Sequence, residues 1–195
     1  MSNYLVGCDV GTGGTKAAVI DEEGHLLGSH FIEYPLETPR PGWAEHDPEL
    51  YWNAVSETIR QSIIQARISN KDIRGVSISA LSPACILVDK HLKPLQKAHI
   101  WMDRRATAQC KWLKENIGED RIFELSGNPT DPYFAVAKLM WERDNRPELY
   151  KNAYKIQTAA CYPRMKLTGK TVIDYSNASL LGICFDIRKK QWNEK

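Results

Sequence analysis

Val6-Gly7-Cys8-Asp9-Val10-Gly11-Thr12-Gly13-Gly14-Thr15-Lys16 is the stretch on which the reading of this chain of 195 residues turns. Tyr4 to Val10 is apolar or β-favouring, Gly11 to Gly14 supplies turn chemistry, and Lys16 to Ile20 resumes an apolar run, so the spacing predicts strand, glycine turn, strand. A phosphate tail needs several donors that converge on it without side chains in the way, and a glycine turn exposes consecutive backbone N–H groups as an anion nest. Gly11, Gly13 and Gly14, with Thr12 and Thr15 between and after them, have that composition. Lys16 adds a point charge for the outer phosphates, and Asp9 at the strand end suits Mg²⁺ held through its water shell. A Walker A loop is excluded because the Gly-Lys-Ser/Thr ending is absent, and a dinucleotide fingerprint is excluded because a strand follows the glycines instead of a helix. On these residues alone, a tight hairpin in which Asp9 and Thr12 merely satisfy turn amides explains the segment equally well.

Outward from this stretch, Asp21-Glu22-Glu23-Gly24 makes a second turn and His25 to Tyr34 a third strand, which together predict an antiparallel meander. Asp47-Pro48-Glu49 opens a helix, and Leu50, Ala54, Val55, Thr58, Ile59, Ile63 and Ala66 carry it at helical spacing to about Ile68. Strands are expected over Ile73 to Ala80, Cys85 to Val88 and Ala98 to Met102. Asp103 reads as the cap of a helix reaching Asn116, and further helices are expected from Tyr133 to Arg143, from Arg146-Pro147, from Thr158 to Leu167 with Gly169 as the stop, and from Asp174 to Leu181. Tyr154 to Gln157 reads as a strand between them. This order suits an α/β domain with a mixed sheet and flanking helices.

The composition is that of a globular protein, 43% hydrophobic and 26% charged. A formal charge of +2, without a run of like charges, offers no arm for nucleic acid. Five widely spaced cysteines without a Cys-x-x-Cys pair argue against a zinc site or a disulfide framework and for free thiols in a reducing cytoplasm. No apolar stretch of about 18 residues offers a membrane span, and Met1 to Val10 is unlike a signal peptide.

The sequence resembles the FGGY carbohydrate kinases, which include xylulose, ribulose, gluconate and glycerol kinases, and is most similar to the xylulokinase type. The similarity runs over essentially the whole chain. It is carried by Asp9-Val10-Gly11-Thr12 with Lys16, Gly42-Trp43-Ala44-Glu45-His46-Asp47-Pro48, Trp101-Met102-Asp103-Arg104-Arg105, Lys138-Leu139-Met140-Trp141, Lys166-Leu167-Thr168-Gly169 and Asp174-Tyr175-Ser176-Asn177-Ala178-Ser179. The resemblance implies an actin-like ATPase, ribonuclease H-like fold of two domains, of which residues 1–195 would be an incomplete N-terminal one. It also implies phosphoryl transfer from MgATP to a hydroxyl of a sugar or polyol, pentuloses such as xylulose first. Asp9 would then serve Mg²⁺, Gly11 to Gly14 the phosphates and Lys16 the transferring group. Leu81-Ser82-Pro83 and the Asp103-Arg104 corner would face the sugar. Xylulokinases usually carry Gln-Met-His where Leu81-Ser82-Pro83 stands, so a different hydroxyl pattern is expected. The family's catalytic aspartate would lie beyond Lys195, together with a second phosphate loop and the adenine-binding segment. No catalytic residue is therefore assigned within the chain, which is expected to be inactive alone.

Two other function classes stay open at this stage: an actin-like or Hsp70-like ATPase that uses ATP to change shape, and a non-catalytic relative that binds sugar and regulates a partner. The stretches Gly42 to Pro48 and Trp101 to Arg105 favour the kinase. A homodimer is the protein assembly expected. Trp141 is expected in the core, His46 and His99 as structural or surface residues, and Lys166 and Lys170 at a solvated helix end.

Overall fold

In β1 (Tyr4–Val10) alternate side chains divide between two faces, Val6, Cys8 and Val10 inward and Leu5, Gly7 and Asp9 outward. The computed structural model describes residues 3–193. β1 pairs antiparallel with β2 (Gly14–Ile20), and β2 with β3 (Leu26–Glu33), which is the expected meander. After β4 (Glu45–His46) and α1 (Pro48–Ala66), β5 (Ile73–Ala80) returns parallel to β1, with Asp9 opposite Ser79, so the sheet is mixed and ordered β3-β2-β1-β5.

α1 begins as its sequence dictates: the Asp47 side chain accepts the Glu49 amide and Pro48 opens the first turn. It ends at Ala66 instead of Ile68 because Arg67 adopts a left-handed conformation (φ 55°) and bonds its amide to the Ile64 carbonyl. The helix lies on the inward face of the sheet, where Tyr51, Ala54 and Val55 meet Val6, Val10, Ala17 and Val19. Gly28 permits this approach, since a Cβ there would sit 2.4 Å from the Ser62 carbonyl oxygen.

Beyond the sheet, β6 (Ile86–Val88) and β7 (Ala98–His99) lead to a helical layer of α2 (Thr107–Asn116), α3 (Glu119–Ser126), α4 (Ala135–Asn145) and α5 (Pro147–Asn152). β8 (Lys155–Gln157) pairs with β6 and β4 with β7. Then α6 (Cys161–Thr168), ended by left-handed Gly169, packs on α1 through Tyr162 and Met165, and α7 (Tyr175–Ser179) is capped by Asp174. A hairpin of β9 (Phe185–Asp186) and β10 (Gln191–Trp192) closes the described part; of the polar ending 188–195, residues 194 and 195 lie outside it.

Two expectations are corrected, and one helix was not expected. The strand expected over Ala98 to Met102 stops at His99, and Trp101-Met102 is a turn. Asp103 caps no helix, because α2 starts four residues later behind Ala106. α3 answers to no expectation; Gly118 and Gly127, both at positive φ, bracket it. Among the described residues no helix is long and apolar enough to cross a membrane.

Candidate functional site

The β1–β2 turn is held from beneath. The Gly11 amide donates to the Gly14 carbonyl at 2.8 Å, the Tyr34 amide donates to the Gly13 carbonyl, and the Tyr34 hydroxyl donates to the Gly11 carbonyl at 2.8 Å while meeting Thr15 Oγ1 at 3.1 Å. Gly14 is required for space, since a Cβ there would meet the Phe31 ring at 2.5 Å and the Ile32 carbonyl oxygen at 2.6 Å. These bonds correct the expectation for Gly11, whose N–H closes the hairpin and is not offered outward, and for Thr15, which is buried. Among the described residues the amides of Thr12 and Gly13 have no partner, so they are the donors this turn presents.

Asp9 and Lys16 are register partners across β1 and β2, and both point to the outer face of the sheet. They line an open trough of about 390 Å³ with Gly7, Ala18, Ser77 and Ser79. Among the described residues neither charge has a hydrogen-bond or ion-pair partner, not even the other. Beneath Asp9, burial pushes the Cys8 thiol up to about 11, which keeps it a neutral packing group.

The second candidate turn lies next to the first. β1 and β5 are parallel, so their carboxyl ends lie side by side, and the Leu81 amide donates to the Val10 carbonyl at 2.7 Å. Ligands of open α/β sheets gather at such carboxyl ends. Trp101 closes this corner: its Nε1–H donates to Thr12 Oγ1 at 3.1 Å, and its ring lies 6.5 Å from that of Tyr133. The Tyr133 hydroxyl in turn donates to the Ser82 carbonyl at 2.7 Å, and Ser82 Oγ donates to Asn177 Oδ1 at 2.8 Å. Tyr133 and Asn177 went unassigned at the level of sequence. Only contact across 51 and 95 residues gives them away, although Tyr133 within Asp131-Pro132-Tyr133-Phe134 is an aromatic residue in a turn.

Asp103 does not join them. Its carboxylate is fully buried and accepts the Ala44 amide at 2.8 Å and the Arg105 amide, Nε and Nη2, the last at 2.6 Å. Arg105 also binds Glu45 at 2.7 Å and stacks 3.5 Å from the Trp43 ring centroid. Burial pushes the Asp103 carboxyl up, but Arg105 and the Ala44 amide outweigh it and hold it below the usual carboxylate range. The expected sugar contact is thus corrected to an internal ion pair under the Trp101 turn. Arg104 is exposed and forks onto Asp131, whose carboxylate also accepts the Tyr133 amide, so it reaches the corner through that loop. Lys138 braces the same loop from below, donating to the Pro132 and Tyr133 carbonyls at 2.5 and 2.7 Å; burial pulls its ammonium down to about 8.

Trp141 packs against Trp43, and His46 and His99 are buried, so these three are structural as expected. Lys166 is less free than expected of a solvated helix end, for it pairs with Glu49 at 2.8 Å. Apart from the buried Asp103 and Thr15, the candidate residues therefore lie at the carboxyl ends of β1 and β5, at the start of β2, or on the loops beside them.

The profile of the FGGY family of carbohydrate kinases, N-terminal domain, matches residues 4–195. The chain is 35% identical to a glycerol kinase of Thermococcus onnurineus, covering 100% of this chain and 40% of that one. It is 30% identical to a xylulose kinase of Lactococcus lactis, covering 98% and 38%. A gluconate kinase structure from Lactobacillus acidophilus superposes with a TM-score of 0.91 at 29% identity, covering 100% of this chain and 39% of the other. The chain thus spans about 40% of the length of the relatives it matches.

Proposed function

We infer that this chain, which belongs to the FGGY family of carbohydrate kinases and has their actin-like, ribonuclease H-like fold, forms the phosphate- and substrate-gripping part of a sugar or polyol kinase. The observation that carries this reading is the placement of Asp9 and Lys16, two unpaired opposite charges side by side on an open sheet face, next to a turn with two uncommitted amides.

In this reading the amides of Thr12 and Gly13 and the Lys16 ammonium hold the outer phosphates of ATP. The residues fit a Mg²⁺ ion as well, since Asp9 presents an oxygen ligand free of other duties, and the ion, when bound, would neutralise phosphate charge. Ser82, Trp101 and Tyr133 hold the hydroxyl-bearing substrate, with Leu81 and Pro83 shaping the turn. Trp101, bonded to Thr12, fixes the distance between the two ends. Transfer then depends mainly on position and charge neutralisation, for which a rigid corner is suited. We place the group that takes the hydroxyl proton in the part of the relatives' length that this chain does not span.

Pentuloses such as xylulose are the first substrates to test and glycerol the second, the latter favoured by the similarity to the glycerol kinase of Thermococcus onnurineus. A cytoplasmic location agrees with five cysteines free of disulfides. The reading is tested by offering the full-length protein a panel of sugars and polyols and following ADP release. One or more of them should stimulate release in proportion to phosphorylated product. ATP consumption indifferent to every sugar and polyol would refute it.

A further inference from the structure

The hydroxyl protons at the corner are already directed, and the direction follows from Asp174. Its carboxylate accepts the Asn177 amide at 2.8 Å and Asn177 Nδ2 at 2.9 Å, with Arg164 Nη2 3.8 Å away. Burial pushes this carboxyl up, but the Asn177 donors and Arg164 outweigh it and hold it below the usual range, so it stays ionised and can only accept. Asn177 must therefore turn its NH₂ toward Asp174, which aims its amide oxygen at Ser82 Oγ, 2.8 Å away. An amide oxygen carries no proton, so the Ser82 hydroxyl gives its own to Asn177. Tyr133 is committed in the same way, because its partner at 2.7 Å is the Ser82 backbone carbonyl. Both hydroxyls keep only lone pairs for anything else.

The opposite holds at the phosphate end. Thr12 Oγ1 accepts from Trp101 Nε1 and retains its own proton, beside the uncommitted amides of Thr12 and Gly13 and the Lys16 ammonium. Asp9 apart, donors stand at the phosphate end of the corner, and the two hydroxyls offer acceptors at the other.

We propose that Ser82 and Tyr133 form a fixed pair of acceptors, set by Asn177 and by the Ser82 carbonyl, that selects the substrate through hydroxyl groups which must donate. Asn177 is thereby a positioning residue for specificity, acting through Ser82. The proposal rests on the reading that the sugar or polyol sits against Ser82 and Tyr133. It explains how a turn without charged side chains still discriminates, since an acceptor left without its donor is penalised more than a lost contact.

The test uses the full-length protein and the sugar or polyol it phosphorylates best, with analogues in which each hydroxyl in turn is replaced by hydrogen or by fluorine. Fluorine nearly matches a hydroxyl in size but cannot donate. At the hydroxyl that donates to Ser82, kcat/KM should fall about tenfold or more for both analogues, and by amounts within about threefold of each other. In Asn177→Leu the Ser82 proton is released, and the fluoro analogue should gain about fivefold on the deoxy analogue at that position. In Ser82→Ala the penalty for either replacement should shrink to about threefold or less, which checks the same point if Asn177→Leu does not fold. A fluoro analogue that outperforms the deoxy analogue at every position in the unaltered protein, or a penalty undiminished in Ser82→Ala, overturns the proposal. If no sugar or polyol is phosphorylated at all, the kinase reading falls and the proposal with it, a visibly different result.

Discussion

Asp103 and Asp9 are both carboxylates close to glycine or arginine in sequence, yet their surroundings assign them opposite work. Asp103 has no exposed surface and takes donors from Ala44 and Arg105. Removing Asp103 strands the buried Ala44 amide and part of the Arg105 guanidinium, whose charge Glu45 still pairs, and this costs about 2–3 kcal/mol. Asp103→Ala should therefore lower unfolding stability by that order, measured by denaturant titration; a loss under about 1 kcal/mol would show the carboxylate to be free for a ligand instead. Asp9 is legible from sequence because a strand followed by glycines fixes which face it takes. The burial of Asp103 is not, because it depends on pairing between Glu45-His46 and Ala98-His99, more than 50 residues apart, which closes Ala44 over it.

The elements meet through small residues at defined places. α1 lies so close to β3 that a Cβ on Gly28 would fall 2.4 Å from the Ser62 carbonyl oxygen and 2.7 Å from the Ala66 amide nitrogen, both backbone atoms that cannot rotate away. Gly28→Ala should cost about 1–3 kcal/mol through displacement of the helix, whereas Gly13→Ala, with nothing within 4 Å, should change stability by less than about 0.5 kcal/mol. Equal effects in thermal unfolding would contradict this packing. The long elements of the sheet layer follow directly from local patterns: the two-residue period of β1, the helical spacing after Asp47-Pro48, and the left-handed Gly169 after α6. The short ones do not. β4, β7 and β9 have two residues each and exist only because a distant or neighbouring strand satisfies their backbone, and α3 is an eight-residue segment set between two glycines.

Across the whole molecule, a mixed sheet supplies the glycine turn and the Leu81-Ser82-Pro83 turn, the proposed phosphate and hydroxyl ends of the site, from the ends of two parallel neighbours, and a helical layer supplies the residues that close the corner. The first half of that site is readable from one continuous stretch, Asp9 to Lys16, with Gly11 to Gly14 between. The second half is assembled from Ser82, Trp101, Tyr133 and Asn177, whose convergence only the tertiary structure creates. The central claim is that Asp9 and Lys16 face a nucleotide's charged tail together. It is tested most directly by Asp9→Asn in the full-length protein, which keeps the size of the side chain and removes its charge. The account predicts a fall in kcat on the order of 10² or more, with the KM for the sugar or polyol changed by less than about threefold and folding intact. A variant that turns over at the unaltered rate, with ATP still required, would contradict it.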